Sequence, residues 1–519
     1  MCSLLSEKIG MHGKSLESTF SNPQAFGQQI AGNSPTENTE PIMKKIILFE
    51  LNEVPYRILD NYVASHPQSL LARFLGHCRQ YETFTEDSIA LDPWISWPTF
   101  HRGVNDNQHG ILHLGQVADR EIDDRYPPIW TRLRKAGAKV GVFGSLNTAI
   151  TEESLHDYAF YLPDYFAGDA SAYPETLLNF HRFNLELTRK SARNVSRGIP
   201  WKGSFGFLDA TIRGGLRADT VIELSSQLIS EVADKKKRVR RRTMQPMIMC
   251  DLFLKQLEET KPDFSTFYTN HVAAAMHRYW AALLPQDYKD GELDSAWVSS
   301  YQEEIPFALE KLEKMLMKIV QFTHKNPEFR LIVASSMGQA AIAFQKTYEF
   351  LTITDVAKFM TAIGVSSGSY DIAPAMVPCI SLHLKGADTT DLRRKLESVR
   401  IGNEPMVFSK RPDGKACFEI RDGYLHLFVQ FDNYDGPLSF TGGGVEKSFH
   451  EAGLSMMAHE DGVNCTAQHI PQGTLLVYAP DHPDAGRSSI STRDFVPSML
   501  ANFGIKQDSE LAGTASIRL

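Results

Sequence analysis

Leu91–Gly110 reads LDPWISWPTFHRGVNDNQHG. Ser96 is followed by Trp97, Pro98 and Thr99, then by His101, Arg102, Gly103 and the pair His109-Gly110. Proline suits the first turn of a helix, and a hydroxyl just before it caps free backbone amides. The stretch therefore predicts a helix that begins beside Ser96. A hydroxyl held there lies in a positive field that suits an attacking alkoxide or a bound phosphate. A capped surface helix with no chemistry fits the same residues, so the neighbouring segments decide between the two.

Upstream, Ile46-Ile47-Leu48-Phe49 is the continuous apolar run of a strand buried on both faces. It ends in Glu50-Leu51-Asn52-Glu53, polar groups at the carboxyl end of a strand, where open α/β sheets collect their ligands. Downstream, Ile129–Leu133 opens a short helix closed by Gly137, and Lys139–Gly144 reads as a second buried strand. Residues 155–215 are aromatic and irregular, a helical excursion over the sheet edge that extends to about 260. Val221, Leu224, Leu228 and Val232 fall on one helical face. Lys235–Arg242, KKKRVRRR, invites a nuclear-targeting or nucleic-acid reading, but no aromatic residue interleaves with the charges, so it reads as a solvated helix end.

Phe264–Tyr268 forms the next strand and leads to Asn270-His271 and to His277-Arg278-Tyr279-Trp280. An amphipathic helix is expected over 302–324, then a strand at Leu331–Ala334 running into Ser335-Ser336-Met337-Gly338-Gln339. From 355 to 454 the texture turns antiparallel. Strands are expected at Val377–Leu384, Ala416–Arg421 and Tyr424–Phe431, with a helix at Asp391–Val399. Leu475–Tyr478 and a helix over Asp494–Phe503 return to the main sheet.

This alternation predicts an α/β fold, a three-layer sandwich around a mostly parallel sheet. The core is expected over 43–354 and 455–519, with 355–454 as a small inserted α+β lobe. Residues 1–42, rich in Ser, Gly, Asn and Gln, read as a disordered leader. The net charge of −8 argues against a nucleic-acid partner, and no apolar run approaches the ~18 residues of a membrane span. Six cysteines without CxxC spacing read as reduced thiols. The absence of a signal-like apolar region points to the cytoplasm.

Taken in register, these segments resemble the alkaline-phosphatase superfamily, in its type I phosphodiesterase/nucleotide pyrophosphatase branch. The resemblance spans most of 43–350 and 455–510. Ile46–Leu59 resembles that family's opening strand, whose last Asp binds a metal; Asn52 stands there. Ser96-Trp97-Pro98-Thr99 is similar to its nucleophile motif, and Gly103 and His109-Gly110 match the glycine and the His-Gly pair that the family carries after it. Phe267–Trp280 resembles the segment ending Asp-x-x-x-His, with His277 kept and Ala273 at the Asp position. Ser335-Ser336-Met337-Gly338 stands where the family has Ser-Asp-His-Gly. His469-Ile470-Pro471-Gln472-Gly473 resembles the last ligand motif, and Asp494–Leu500 the closing helix.

The resemblance implies a hydrolase of phosphoric esters, or of a sulfate or phosphonate, with two zinc ions beside the nucleophile. Of six ligand positions only His277 and His469 keep their donors. Asn52 and Ser336 are weak neutral oxygens and Met337 a soft thioether. At most one Zn2+ or other divalent metal is therefore expected, at His277 and His469 with Asn52, to be completed by His271 or His459 only after a backbone shift. Glu50 or Glu53 restores a carboxylate if the register moves slightly. The expected catalytic residues are Ser96, or Thr99 in its place, with His277 or His469 as base. Arg102, Asn52, Ser336 and Arg278 are expected to bind the oxyanion of a phosphorylated small molecule or phosphodiester. The alternative is a catalytically silent member that binds a phosphorylated ligand or a protein partner.

Overall fold

Ile46, Ile47, Leu48 and Phe49 are all fully buried, so the apolar run is a strand covered on both faces. The computed structural model describes residues 43–519 apart from 113, 115, 117–119, 149–151, 165–170, 191–210, 374, 376, 377, 387, 410–414, 422, 460 and 482–485. The leader expected over 1–42 lies outside the described residues.

Eight strands form the central sheet. In chain order they are β1 (Lys45–Leu51), β2 (Cys78–Phe84), β3 (Val140–Phe143), β4 (Phe160–Leu162), β5 (Phe264–Thr269), β6 (Phe329–Ala334), β7 (Gln472–Tyr478) and β8 (Arg487–Ser491). Their order across the sheet is β8-β2-β7-β6-β1-β5-β3-β4. β1 lies at the centre, parallel to β5 and β6, and β3 and β4 continue in the same direction. β7 alone runs against its neighbours β6 and β2, and β8 lies parallel to β2.

Helices cover both faces, which makes three layers. On one face Ile46 and Leu48 pack with Trp97 and Phe100 of helix Pro93–Arg102, Trp130 and Leu133 of helix Ile129–Lys135, and Met499 of helix Phe495–Asn502. On the other, Phe253 of helix Arg241–Thr260 stacks on Phe267 and meets Phe143 and Phe160 edge-on. Each such side chain contributes about 1.5–3 kcal/mol by leaving water. Gly141 of β3 is required there, because a Cβ would sit 2.2 Å from the Phe160 ring.

None of the strands described between 355 and 454 hydrogen-bonds into this sheet; they pair with one another, except Phe431–Asp432, which pairs with Glu349–Ile353. Cys379–Leu384, Ala416–Arg421 and Tyr424–Val429 pair antiparallel, close to their expected limits, and the helix runs Thr389–Glu397. Leu382, Leu396, Phe418, Leu425 and Phe440 share a separate core. The antiparallel pair Glu349–Ile353 and Leu454–Ala458 brackets the region.

Three expectations change. Phe160–Leu162, inside the supposed excursion, is the edge strand of the main sheet. The Lys235–Arg242 run is a 3-10 turn entering the next helix, and Arg240 and Arg241 pair with Glu304 and with Glu231 of the preceding helix rather than facing solvent alone. Val221, Leu228 and Val232 do share one face of helix Ala218–Ala233, but that face points outward.

Candidate functional site: a Glu-His-His centre at the strand ends

β1 leaves the sheet at Leu51, and the chain turns through two buried residues, Asn52 and Glu53. Glu53 has φ 59°, a left-handed backbone that costs a side chain-bearing residue about 1–3 kcal/mol unless its surroundings hold it. They do. Its Oε1 accepts from Asn52 Nδ2 at 2.6 Å, and its Oε2 accepts from Gln339 Nε2 at 2.5 Å.

The same Oε2 lies 2.9 Å from His277 Nε2 and 3.3 Å from His469 Nε2. His277 comes from helix His271–Leu283, directly after β5. His469 comes from the strand Ala467–Ile470, where it sits opposite Gln339 of Gly338–Ala341. Each ring is oriented from behind: Nδ1–H of His277 donates to Ala467 O at 2.8 Å, and Nδ1–H of His469 to Leu91 O at 2.7 Å. Both Nε2 atoms are thereby turned onto one carboxylate.

Burial acts to raise the Glu53 pKa, but the two imidazoles outweigh it and hold the carboxylate well below its ordinary value. Burial likewise acts to lower both histidines, and Glu53 overrides it, so both are raised. Asp92, with Oδ1 3.5 Å from His469 Nδ1, is pushed up to about 6, chiefly by burial.

This donor set fits a divalent cation. One carboxylate oxygen and two imidazole nitrogens lie within 4.8 Å of one another. Imidazoles whose far N–H is held by a carbonyl are the usual arrangement behind a metal, and His2Glu is a donor set of catalytic zinc with an open position. The side chains of His277 and His469 are 29% and 19% exposed, so the centre reaches solvent.

Asn52 needs correction as a ligand. Its Oδ1 accepts from Trp97 Nε1 at 2.8 Å, and its Nδ2 also donates to Asn270 Oδ1 at 2.8 Å. It positions Glu53, and Glu53 is the carboxylate at the centre.

The helix Pro93–Arg102 starts earlier than expected. Pro93 is its first residue and Asp92 its N-cap, so Ser96 lies inside it rather than capping it. Pro98 lacks the N–H that would reach Trp94 O, and that carbonyl accepts from Asn147 Nδ2 at 3.5 Å instead. Ser96 Oγ and Ser336 Oγ, both fully buried, share a hydrogen bond of 2.8 Å. Thr99 is committed elsewhere: its hydroxyl donates to Asp87 Oδ1 at 2.6 Å and accepts from His109 Nε2 at 3.0 Å. His109 Nδ1 accepts from the Ile111 amide, which fixes that tautomer.

The two arginines are not oxyanion clamps. Arg102 is buried against Asp123 and the Tyr126 carbonyl, and Arg278 is bound to Asp461, which also accepts from Tyr279. His271 opens its helix inside the core, and His459 stacks on Phe350; neither joins the centre. Glu50 is bonded to His101 in the core at 2.6 Å. The structure thus gathers Asn52, His277 and His469 around Glu53, pairs Ser96 with Ser336, and leaves Thr99, Arg102 and Arg278 in other networks. Sequence reading missed Gln339, Asn270 and Trp97, whose only signal was adjacency to motif residues.

No protein-family model matches the chain, and no curated protein matches its sequence. Among solved structures it is similar to murine ectonucleotide pyrophosphatase/phosphodiesterase 5, with a TM-score of 0.38 and 10% identity over 89% of this chain and 96% of that one. The human form of that protein gives a TM-score of 0.37 and 9% identity over 91% and 97%. The murine protein in an inactive form in complex with AMP gives a TM-score of 0.38 and 10% identity.

Proposed function

We propose that the chain is a phosphoric ester hydrolase of the phosphodiesterase and nucleotide pyrophosphatase kind, with one divalent cation at most, held by Glu53, His277 and His469. The observation that carries this reading is the convergence of both Nε2 atoms on Glu53 Oε2 while each Nδ1 is tied to a backbone carbonyl. An ion held there would polarise a phosphoryl oxygen as a Lewis acid and lower the pKa of a bound water. The chain's own residues do the positioning. Asn52 and Gln339 aim the carboxylate, and the Leu91 and Ala467 carbonyls aim the rings. The substrate class is a phosphorylated small molecule or phosphodiester, and the region 355–454 sets the alcohol side. Cys78 and Cys250 are buried thiols, which is in keeping with a reducing, cytoplasmic setting. No helix among the described residues is long and apolar enough to cross a membrane.

A second reading, a silent member that binds a phosphorylated ligand or a protein partner, is favoured by Ser96. Its hydroxyl is fully buried and bonded to Ser336.

Equilibrium dialysis with zinc followed by elemental analysis, with assays on p-nitrophenyl phosphate and bis(p-nitrophenyl) phosphate, tests both. One ion per chain and turnover lost in Glu53→Gln support the hydrolase. One ion and ligand binding without turnover support the silent member. Where turnover is present, its loss in Ser96→Ala makes that hydroxyl the nucleophile, and its survival leaves the attack to water. Two tightly held zinc ions per chain would refute the single-ion centre.

A further inference from the structure

Helix Ala218–Ala233 is inverted relative to an ordinary surface helix. Its charges face the body: Asp219 meets Lys318, Glu223 meets Lys311 and Lys314, and Glu231 meets Arg241. Thr220 and Gln227 are buried on the same side. Val221, Ile222, Leu228, Ile229 and Val232 face outward, 45–87% exposed. A contiguous aliphatic patch of this kind marks an interaction surface.

We infer that a second copy of this chain docks on this face, forming an antiparallel helix pair about a two-fold axis. Val221, Ser225, Leu228 and Val232 follow the four-three-four spacing of a coiled-coil seam, with Ile222 and Ile229 beside it. The pattern is nearly symmetric about the point between Ser226 and Gln227. Val221 mirrors Val232, Leu224 mirrors Ile229, and Ser225 mirrors Leu228. An isologous contact requires this self-complementarity, and the small serines at its middle let two backbones approach.

Charge sets the direction. Asp219, whose Oδ2 meets Lys318 while its side chain stays 57% exposed, lies at one end of the helix, and the exposed Lys235 just past the other. Antiparallel pairing brings Lys235 of each copy beside Asp219 of its mate, whereas parallel pairing sets like charges together. A lipid surface fits less well. Interfacial helices carry Trp or Phe on the apolar face and Lys or Arg on the other, and here the other face is acidic and turned inward. Sixteen residues span about 24 Å, and one helix face of that length is smaller than the ~800 Å² per partner of a standard interface. The dimer is therefore reversible and concentration-dependent.

Sedimentation equilibrium of the full chain over a wide concentration range tests this. The expected result is a monomer–dimer equilibrium whose dissociation constant rises at least tenfold in Leu228→Glu, with no fall in melting temperature, because that side chain already meets water. Lys235→Asp, which leaves the Asp219–Lys318 pair intact, should also weaken the dimer by setting like charges together. A monomer at every concentration, or a dimer indifferent to Leu228→Glu, would overturn the inference. So would a monomer that co-sediments with phosphatidylserine vesicles and loses that binding in Leu228→Glu, which assigns the face to lipid.

Discussion

Asn52 donates its side-chain N–H to Glu53 Oε1 at 2.6 Å, and this contact reverses the roles that motif position implies for the two residues. Replacing Asn52 by the Asp that the resemblance implies would put a second carboxylate against Glu53 and remove a donor. Asn52→Asp should therefore weaken zinc binding, by about 10–100-fold as for other outer-shell changes. Competition against a zinc-chelating dye measures it. Tighter binding would make position 52 the ligand after all.

Thr99 closes a chain from the Ile111 amide through His109 to Asp87. Thr99→Val strips a partner from two buried or half-buried groups, which should cost about 1–3 kcal/mol in urea unfolding. Any phosphoester turnover should survive in the folded fraction. Turnover lost in a variant of normal stability would return Thr99 to the reaction.

His109 is pushed down to about 3, by burial first and by the Arg102 charge second. The fold refuses a proton that the unfolded chain accepts below its ordinary value of 6.5, so stability falls with pH across that interval. The slope from this one group is roughly 1.4 kcal/mol per pH unit. His271, lowered to about 4 by burial, adds to it. Urea midpoints taken from neutral pH down to about pH 5 should drop less steeply in His109→Gln than in the parent protein.

Arg278 is held by Asp461 at 2.7 Å, away from water. Asp461→Asn removes the carboxylate of this buried pair and should cost about 3–5 kcal/mol. Zinc stoichiometry should not change. Loss of the ion in a folded Asp461→Asn protein would tie this pair to the centre.

The layered sheet was legible because Ile46–Phe49, Phe264–Tyr268 and Leu331–Ala334 are unbroken apolar runs with polar ends. His277 and His469 were legible by motif position. Asn52 and Glu53 were not separable, because a left-handed turn at Glu53 chooses between adjacent side chains and no periodicity encodes it. Ser96 and Thr99 share one motif, yet their partners, Ser336 and Asp87, lie on other segments. For helix Ala218–Ala233 the period was right and the sense inverted. Lysines of helix Glu304–Lys325 and Arg241 match its acids from the body side, and that match is invisible within the helix itself.

The position of β2 has a consequence for synthesis. Its two neighbours in the sheet are β7 and β8, which leave the ribosome about 390 residues later. At about 5–20 residues per second, the nascent chain carries Cys78–Phe84 unpaired for roughly 20–80 seconds. The β6 edge, made about 140 residues before β7, waits for its partner for roughly 7–28 seconds. Folding of the central sheet is thus gated by the last tenth of the chain, and a polypeptide released before Gln472 would expose two open strand edges, the kind of surface that chaperones hold and aggregates grow on.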